Sequence, residues 1–298
     1  MASVILPTNR WTEAADTIVE DLRDEDELLV VCDSPKAPVI SEAPDWGNII
    51  IAGEPDGCSG KAHALATGME HATDDIIVWT DDDVHREAGW IETLTTKAQN
   101  HDAATEVPVF TGPGLWRLFE PAMIIAGTSG PASGQYVWGG GVAFDRTRLD
   151  ETAFLRDLRR TVGDDSLLSE YVNDVWTQTD HLRHLDVDGT PRAVYHRIVR
   201  FGKTSWRFEP LGALILLGIS FAFSAAAIMF PIGGAILATL IGGVTYWKLG
   251  IDRASFLLSF PSLLLIPIFL ILALVAPSFD WGGRTYKWSG KFDVKVIS

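Results

Sequence analysis

The chain has 298 residues, 47% of them hydrophobic, with 24 Lys and Arg against 39 Asp and Glu for a formal net charge of −15. So acidic a surface repels a phosphate backbone, which excludes nucleic acid as a partner. Its two cysteines, Cys32 and Cys58, have neither the number nor the spacing of a disulfide framework or a zinc site, and they are expected to be reduced and buried.

Val4-Ile5-Leu6, closed by Pro7-Thr8-Asn9, is a short β-type run. Trp11 to Leu22 carries Ala14, Ile18 and Leu22 at the spacing of an amphipathic helix. Leu28 to Cys32 is a second buried strand, ending at Asp33-Ser34-Pro35, and Asn48 to Ala52 is a third. A glycine-containing loop and a helix from Lys61 to His71 follow, then a fourth strand, Ile76 to Trp79, running toward Asp81. Strands alternating with helices predict a parallel α/β sheet that presents ligands at the carboxyl ends of its strands. Farther on, Glu106 to Leu115 and Tyr136 to Phe144 read as strands, and Arg148 to Leu158 and Asp165 to Val172 as helices. Leu185-Asp186-Val187-Asp188-Gly189 reads as a tight turn leading into a strand through Tyr195.

The last third differs in kind. Pro210 to Trp247 is 38 residues without a charge and Ala254 to Phe279 is another 26. A crossing helix needs about 20 apolar residues, so these runs hold two crossings and one. Charge follows the same division. Residues 1–205 hold 17 Lys and Arg against 35 Asp and Glu, and residues 206–298 hold 7 against 4. The scattered acids, with 16 Arg to 8 Lys, read as a solvated halophilic surface, so most of them are not catalytic. The N-terminus has too short an apolar run and no basic residue for a signal peptide. These features predict a cytoplasmic domain over 1–205, a multi-pass cell-membrane domain of two to three helices over 206–279, and a tail over 280–298. Three full crossings would carry the basic tail outside, whereas Pro261 and Pro267 could break the third run and leave it inside.

Chemistry concentrates in four places. Asp81, Asp82 and Asp83 follow a buried strand, and three adjacent carboxylates in a cleft need a compensating cation. On an extended segment Asp81 and Asp83 share a face, with His85 next on it, which suits Mg²⁺ or Mn²⁺ shared with a diphosphate; a solvated loop or helix cap would show the same residues. Gly139-Gly140-Gly141 lets a backbone approach a ligand closely, or marks a bend. Asp164 and Asp165 open a helix, as a capping residue or a general base would. Arg197, Arg200, Phe201 and Lys203 precede the first apolar run, where cytoplasmic cations are expected in any case.

In their order, Val4-Ile5-Leu6-Pro7-Thr8, Leu29-Val30-Val31-Cys32-Asp33-Ser34, Gly60-Lys61-Ala62-His63-Ala64-Leu65 and Asp81-x-Asp83 resemble glycosyltransferase family 2. The resemblance implies a GT-A fold, a mixed Rossmann-like α/β sheet with flanking helices, here followed by C-terminal transmembrane helices. It also implies inverting transfer from a nucleotide-sugar donor, a UDP-sugar by similarity. Pro7, Thr8 and Asp33 would hold the nucleoside and Lys61 would lie near the diphosphate. Asp81, Asp82 and Asp83 would serve the ribose and metal, with His85 at a third ligand position. Where many relatives have Tyr-Asn-Glu, this chain has Asn9-Arg10-Trp11. Gly140 and Gly141 match the acceptor and sugar pocket, and Asp165 matches the base, with Asp164 beside it. Arg197-x-x-Arg200-Phe201 is similar to the Gln/Arg-x-x-Arg-Trp motif of the ceramide glucosyltransferase branch, which serves the acceptor and the leaving diphosphate. Trp281-Gly282-Gly283-Arg284-Thr285-Tyr286 resembles a segment after the membrane helices of that branch. The implied activity is glycolipid synthesis on a membrane lipid acceptor. The alternatives are a polyprenyl (dolichyl) phosphate acceptor, or a silent GT-A scaffold in a cell-surface assembly.

Overall fold

A computed structural model of the chain describes residues 1–44 and 48–297. It divides into two units, one of Met1–Val107, Pro131–His181 and Ser289–Ser298, the other of Pro108–Gly130 and Leu182–Trp288. In chain order the elements are β1 (Ser3–Pro7), α1 (Glu13–Asp21), β2 (Glu27–Cys32), α2 (Val39–Glu42), β3 (Asn48–Ile51), α3 (Gly60–His71), β4 (Ile76–Thr80) and α4 (Trp90–Ala98). Then come β5 (Ala103–Thr111), α5 (Trp116–Met123), α6 (Ser129–Ala132), β6 (Gly141–Asp145), α7 (Glu151–Leu158), α8 (Asp164–Tyr171) and β7 (Val175–Asp186). The chain finishes with α9 (Pro191–Phe208), α10 (Pro210–Met229), α11 (Pro231–Lys248), α12 (Ser259–Val275), β8 (Phe279–Trp281), β9 (Arg284–Gly290) and β10 (Asp293–Val296).

The first unit is built on a seven-stranded sheet of order β3-β2-β1-β4-β6-β5-β7. Strand β1 pairs in parallel with β2 and β4, and β2 with β3, while β6 runs antiparallel to β4 and β5. This mixed sheet with flanking helices fits the GT-A expectation. Its first strands are apolar runs because both faces are covered. On one face Val4, Leu6, Val30 and Val78 pack with Ile18, Trp90 and Leu94. On the other, α3 lies so close that a Cβ on Gly68 would stand 2.5 Å from Ile5 Cγ2. Trp79 is stacked on Phe154 and meets Phe144 edge-on, with ring centroids 5.9 and 5.1 Å apart. Both cysteines are free and buried.

The second unit is mostly helical. Trp116 and Phe119 of α5 pack with Val194 and Ile198 of α9 and with Phe269 of α12. Gly202 allows the close crossing of α9 and α12, since a Cβ there would stand 2.5 Å from the Ala273 Cβ. Arg253 donates to the fully buried Glu120 carboxylate through Nε at 2.8 Å and Nη2 at 3.1 Å, and Ser255 donates to it as well. Strands β8 and β9 form a hairpin with Phe279 opposite Tyr286.

Among the described residues, two helices are long and apolar enough to cross a membrane, Pro210–Met229 and Ala254–Val275. Helix α11 is also apolar, but Gly233, Gly234, Gly242 and Gly243 and its Tyr246-Trp247-Lys248 end dilute it. Along α10 and α11 large apolar side chains such as Leu211, Ile219, Ile228, Ile236 and Leu240 are exposed.

One expected element is overturned. The strand through Tyr195 is helix α9, entered by Thr190, whose hydroxyl accepts the Ala193 N–H at 3.4 Å, with Pro191 in the first turn. An N-cap threonine before a first-turn proline sets up a helix, and here that local chemistry outweighs the preceding turn and the β-branched Val194, Ile198 and Val199. The expected strand over 136–144 is confined to Gly141–Asp145, because Trp138 to Gly141 forms a tight turn in which Gly141 N–H donates to Trp138 C=O at 3.1 Å.

Candidate active site

Three parallel strands deliver the polar residues. Pro7 of β1 is in register with Val31 of β2, and Ile5 with Trp79 of β4, so Thr8, Asp33 and Asp81 leave the sheet along one edge. Carboxyl ends of parallel strands are where such sheets bind ligands. Asn9 fixes Asp33 from both sides, accepting its backbone N–H at 3.0 Å and donating to its carboxylate at 2.8 Å. The Thr8 hydroxyl donates to the Asp82 carboxylate, and the Thr12 hydroxyl donates to the Asp82 carbonyl at 2.6 Å. Asp82 is thereby drawn toward the end of β1.

The acidic triplet is not extended. Strand β4 ends at Thr80 and the chain turns through Asp82 and Asp83, so strand alternation does not set where these side chains point. Asp83 is held above the ordinary carboxylate range, first by desolvation and then by Asp81 and Asp82. Asp82 is raised as well, by burial and by Asp81, against the Thr8 hydrogen bond. His85 is exposed. Among the described residues no three His, Cys, Asp or Glu side chains gather closely enough to hold a metal ion, so Asp81, Asp83 and His85 do not form a ready-made set.

Lys61 stands at the centre. It enters on the first turn of α3, whose N-cap Ser59 accepts the Ala62 N–H at 3.1 Å. Its Nζ lies 2.6 Å from Asp81 Oδ1 and 3.3 Å from Asp164 Oδ2, and donates to the Gly139 carbonyl at 3.2 Å. Burial disfavours this ammonium, but Asp164 and Asp81 outweigh it and hold its pKa above the usual lysine value. Burial pushes the Asp164 carboxyl up to about 6, with Lys61 pulling the other way.

The glycines are there to make room. A Cβ on Gly139 would stand 2.5 Å from Asp164 Oδ2 and 3.3 Å from the Asp165 Cβ, and one on Gly140 would stand 2.6 Å from Asp81 Oδ2. The backbone thus passes between the two acidic groups at a distance that only glycine permits. Gly163, with no side chain to donate or accept, is the N-cap of α8. Asp164 and Asp165 therefore occupy the first turn, where a negative charge is favoured. Asp165 is half-buried, and one carboxylate oxygen accepts its neighbour Ser166's N–H at 2.7 Å.

Beneath this loop lies a pair that the linear sequence does not advertise. Arg86 Nε donates to Glu106 Oε2 at 2.8 Å, with both side chains fully buried. Its other nitrogens donate to Thr80 Oγ1 at 2.8 Å and to the Gly140 carbonyl. Arg86 therefore ties the end of β4 to the glycine loop. An Arg embedded in the acidic run 81–87 was the only signal of it.

Arg197, Arg200 and Phe201 lie on α9 in the second unit. The Arg197 guanidinium sits over Trp116 at 5.6 Å and Phe110 at 5.8 Å, and Arg200 over Trp281 at 4.2 Å. The Phe201 and Phe110 rings are 5.4 Å apart.

Comparison with known proteins gives a family match over part of the chain. Residues 3–121 match the family described as Glycosyl transferase family 2. No curated protein matches the chain. Among solved structures, the chain is similar to the glucosyl-3-phosphoglycerate synthase of Mycobacterium tuberculosis in complex with phosphoglyceric acid, at 14% identity over 70% of this chain and 77% of that one, TM-score 0.40. The same synthase with Mn²⁺ and uridine-diphosphate-glucose is similar at 12% identity over 68% and 78%, TM-score 0.41. S. aureus TarS 1-349 with UDP-GlcNAc is similar at 12% identity over 100% and 99%, TM-score 0.42. The matched stretch, under half of the chain, spans Pro7, Thr8, Asp33, Lys61 and Asp81 to Asp83.

Proposed function

We propose that the chain is an inverting glycosyltransferase that moves a sugar from a nucleotide-sugar donor, a UDP-sugar, to a membrane lipid acceptor. The observation that carries this is Lys61, held between Asp81 and Asp164 at the carboxyl ends of parallel strands and against the glycine loop. That arrangement sets a cation between a donor-side carboxylate and the start of the helix that bears Asp165. Thr8 and Asp33 stand where a nucleoside would lie, and Lys61 is the group to meet its diphosphate. Asp165 takes the proton from the acceptor hydroxyl, a role its half-buried carboxylate in the first turn of α8 suits. Arg197, Arg200 and Phe201 are assigned to the acceptor and leaving group on their motif spacing.

Mg²⁺ or Mn²⁺ fits the donor chemistry. Burial, and after it the neighbouring Asp81 charge, hold Asp82 and Asp83 above the ordinary carboxylate range, the mark of a site short of positive charge. A hard divalent ion takes one or two carboxylates and completes its shell with substrate phosphates and water. Asp81 and Asp83 would supply those carboxylates, and His85 is not needed for them. The chemistry such an ion would supply there is neutralisation of the diphosphate charge. The two long apolar helices support membrane association; in this proposal the anchor is multi-pass in the cell membrane with the catalytic domain on the cytoplasmic side, which would keep the acceptor lipid within reach.

The test is incubation of the full chain with labelled nucleotide sugars, Mg²⁺ or Mn²⁺ and total membrane lipid. Lipid-borne label is the expected product, and Asp165→Asn should lower the rate by about 10²–10⁴ while donor binding persists. Absence of both transfer and donor hydrolysis would overturn the proposal. Full activity in Asp165→Asn would turn it toward a polyprenyl phosphate, which needs little help from a base.

A further inference from the structure

Helix α9 carries a second positive site in which nothing balances the charge. Lys203 is only 4% exposed, and among the described residues it makes no hydrogen bond and no ion pair. Arg207 follows one turn later on the same face. Its Nη2 donates to the Trp288 carbonyl at 3.2 Å, while its Nε is buried without a partner. The elements packed on α9 include α5, α10, α12, β8 and β9. Their carboxylates are Glu120, which is engaged by Arg253 and Ser255, and Asp280, which already accepts from Arg192 at 3.0 Å and from Thr285 at 2.8 Å and lies 3.2 Å from His196 Nε2. Helix α9 has no acid of its own, and Glu209 at its C-terminal cap is exposed and forms no ion pair with either cation.

We infer that Lys203 and Arg207 form a binding site for one phosphate group, supplied either by a lipid headgroup or as a free phosphate. A buried ammonium is unfavourable unless an anion accompanies it. Desolvation, followed by Arg207, lowers the Lys203 pKa, so the site as it stands lacks negative charge. A phosphate oxygen would accept from both side chains in charge-assisted hydrogen bonds and satisfy the orphaned Nε. Location favours the headgroup, since Arg207 is three residues before Pro210, where the first long apolar helix begins. Cations that merely mark the cytoplasmic end of a crossing helix stand in the open, whereas Lys203 is enclosed. This site does not depend on the transferase reading, because its readout is binding.

The experiment uses the full chain in a phosphate-free maltoside micelle, titrated separately with inorganic phosphate and with dioctanoyl phosphatidylglycerol at constant ionic strength. The unfolding midpoint is followed. Wild type should be stabilised saturably by the lipid, and Lys203→Met and Arg207→Met should each weaken that binding about tenfold. Stabilisation by lipid alone assigns the site to a headgroup, and stabilisation by both ligands assigns it to the phosphate group itself. No saturable effect of either ligand, or equal affinities in wild type and the variants, would overturn the inference. Should Lys203→Met fail to fold, Arg207→Gln at the half-exposed position answers the same question, and unchanged affinity there is equally fatal.

Discussion

At the scale of single residues, the first unit relies on buried charges that each have a defined partner. Arg86 is the most constrained, since it satisfies Glu106, Thr80 and the Gly140 carbonyl from one guanidinium. Replacing it by methionine keeps the volume but takes away the ion-pair partner of a carboxylate with no exposure. Arg86→Met should therefore cost about 3–5 kcal/mol, measured by chemical denaturation, and Arg86→Met combined with Glu106→Gln should recover part of that loss. Lys61 is a different case. The linear sequence marked it only through its place in a Gly-Lys-x-His motif, and nothing there shows that its ammonium reaches Asp164, 103 positions away. Asp81 and the glycines stood out as local oddities, acid after an apolar strand or glycine in a run, and Asp165 as one of a pair of acids opening a helix. Arg86 did not, because it lies in a loop and its partner Glu106, on β5, reads by itself as one more surface acid.

Among the elements, the loop of Gly139, Gly140 and Gly141 and the first turn of α8 act as one piece. Gly139→Ala forces a Cβ to within 2.5 Å of Asp164 Oδ2 and against the Asp165 Cβ. Relief has to come from a shift of the start of α8. The expected cost is about 1–3 kcal/mol in thermal or chemical unfolding. Transfer should fall more steeply than donor binding, which separate measurements of turnover and of nucleotide affinity would resolve; equal losses in both would argue against a role confined to Asp165. Most elements of this unit could be read directly. Strands β1, β2 and β4 are buried on both faces and announce themselves as apolar runs. Helix α9 could not be read this way. The Asp188-Gly189 turn before it and Val194 suggest a strand, and only the Thr190-Pro191 entry speaks for a helix.

For the whole molecule, the exposed apolar side chains of α10 and α11 and the length of Pro210–Met229 and Ala254–Val275 argue for a bilayer as the surrounding medium. The full chain should remain in the membrane pellet through an alkaline carbonate wash and be released only by detergent; release by carbonate alone would refute the anchor. A further consequence comes from the Glu120 cluster. Glu120 is joined to Arg253 and Ser255, and Ala122 N–H donates to Ser262 Oγ at 2.9 Å, so a short helix near the middle of the chain is completed by residues more than 130 positions later. During synthesis α5 leaves the ribosome long before α12 exists, and until then Trp116 and Phe119 have no α12 to pack against. The chain therefore finishes its helical half last, and a fragment ending near residue 205 carries an unfinished, adhesive surface into solution.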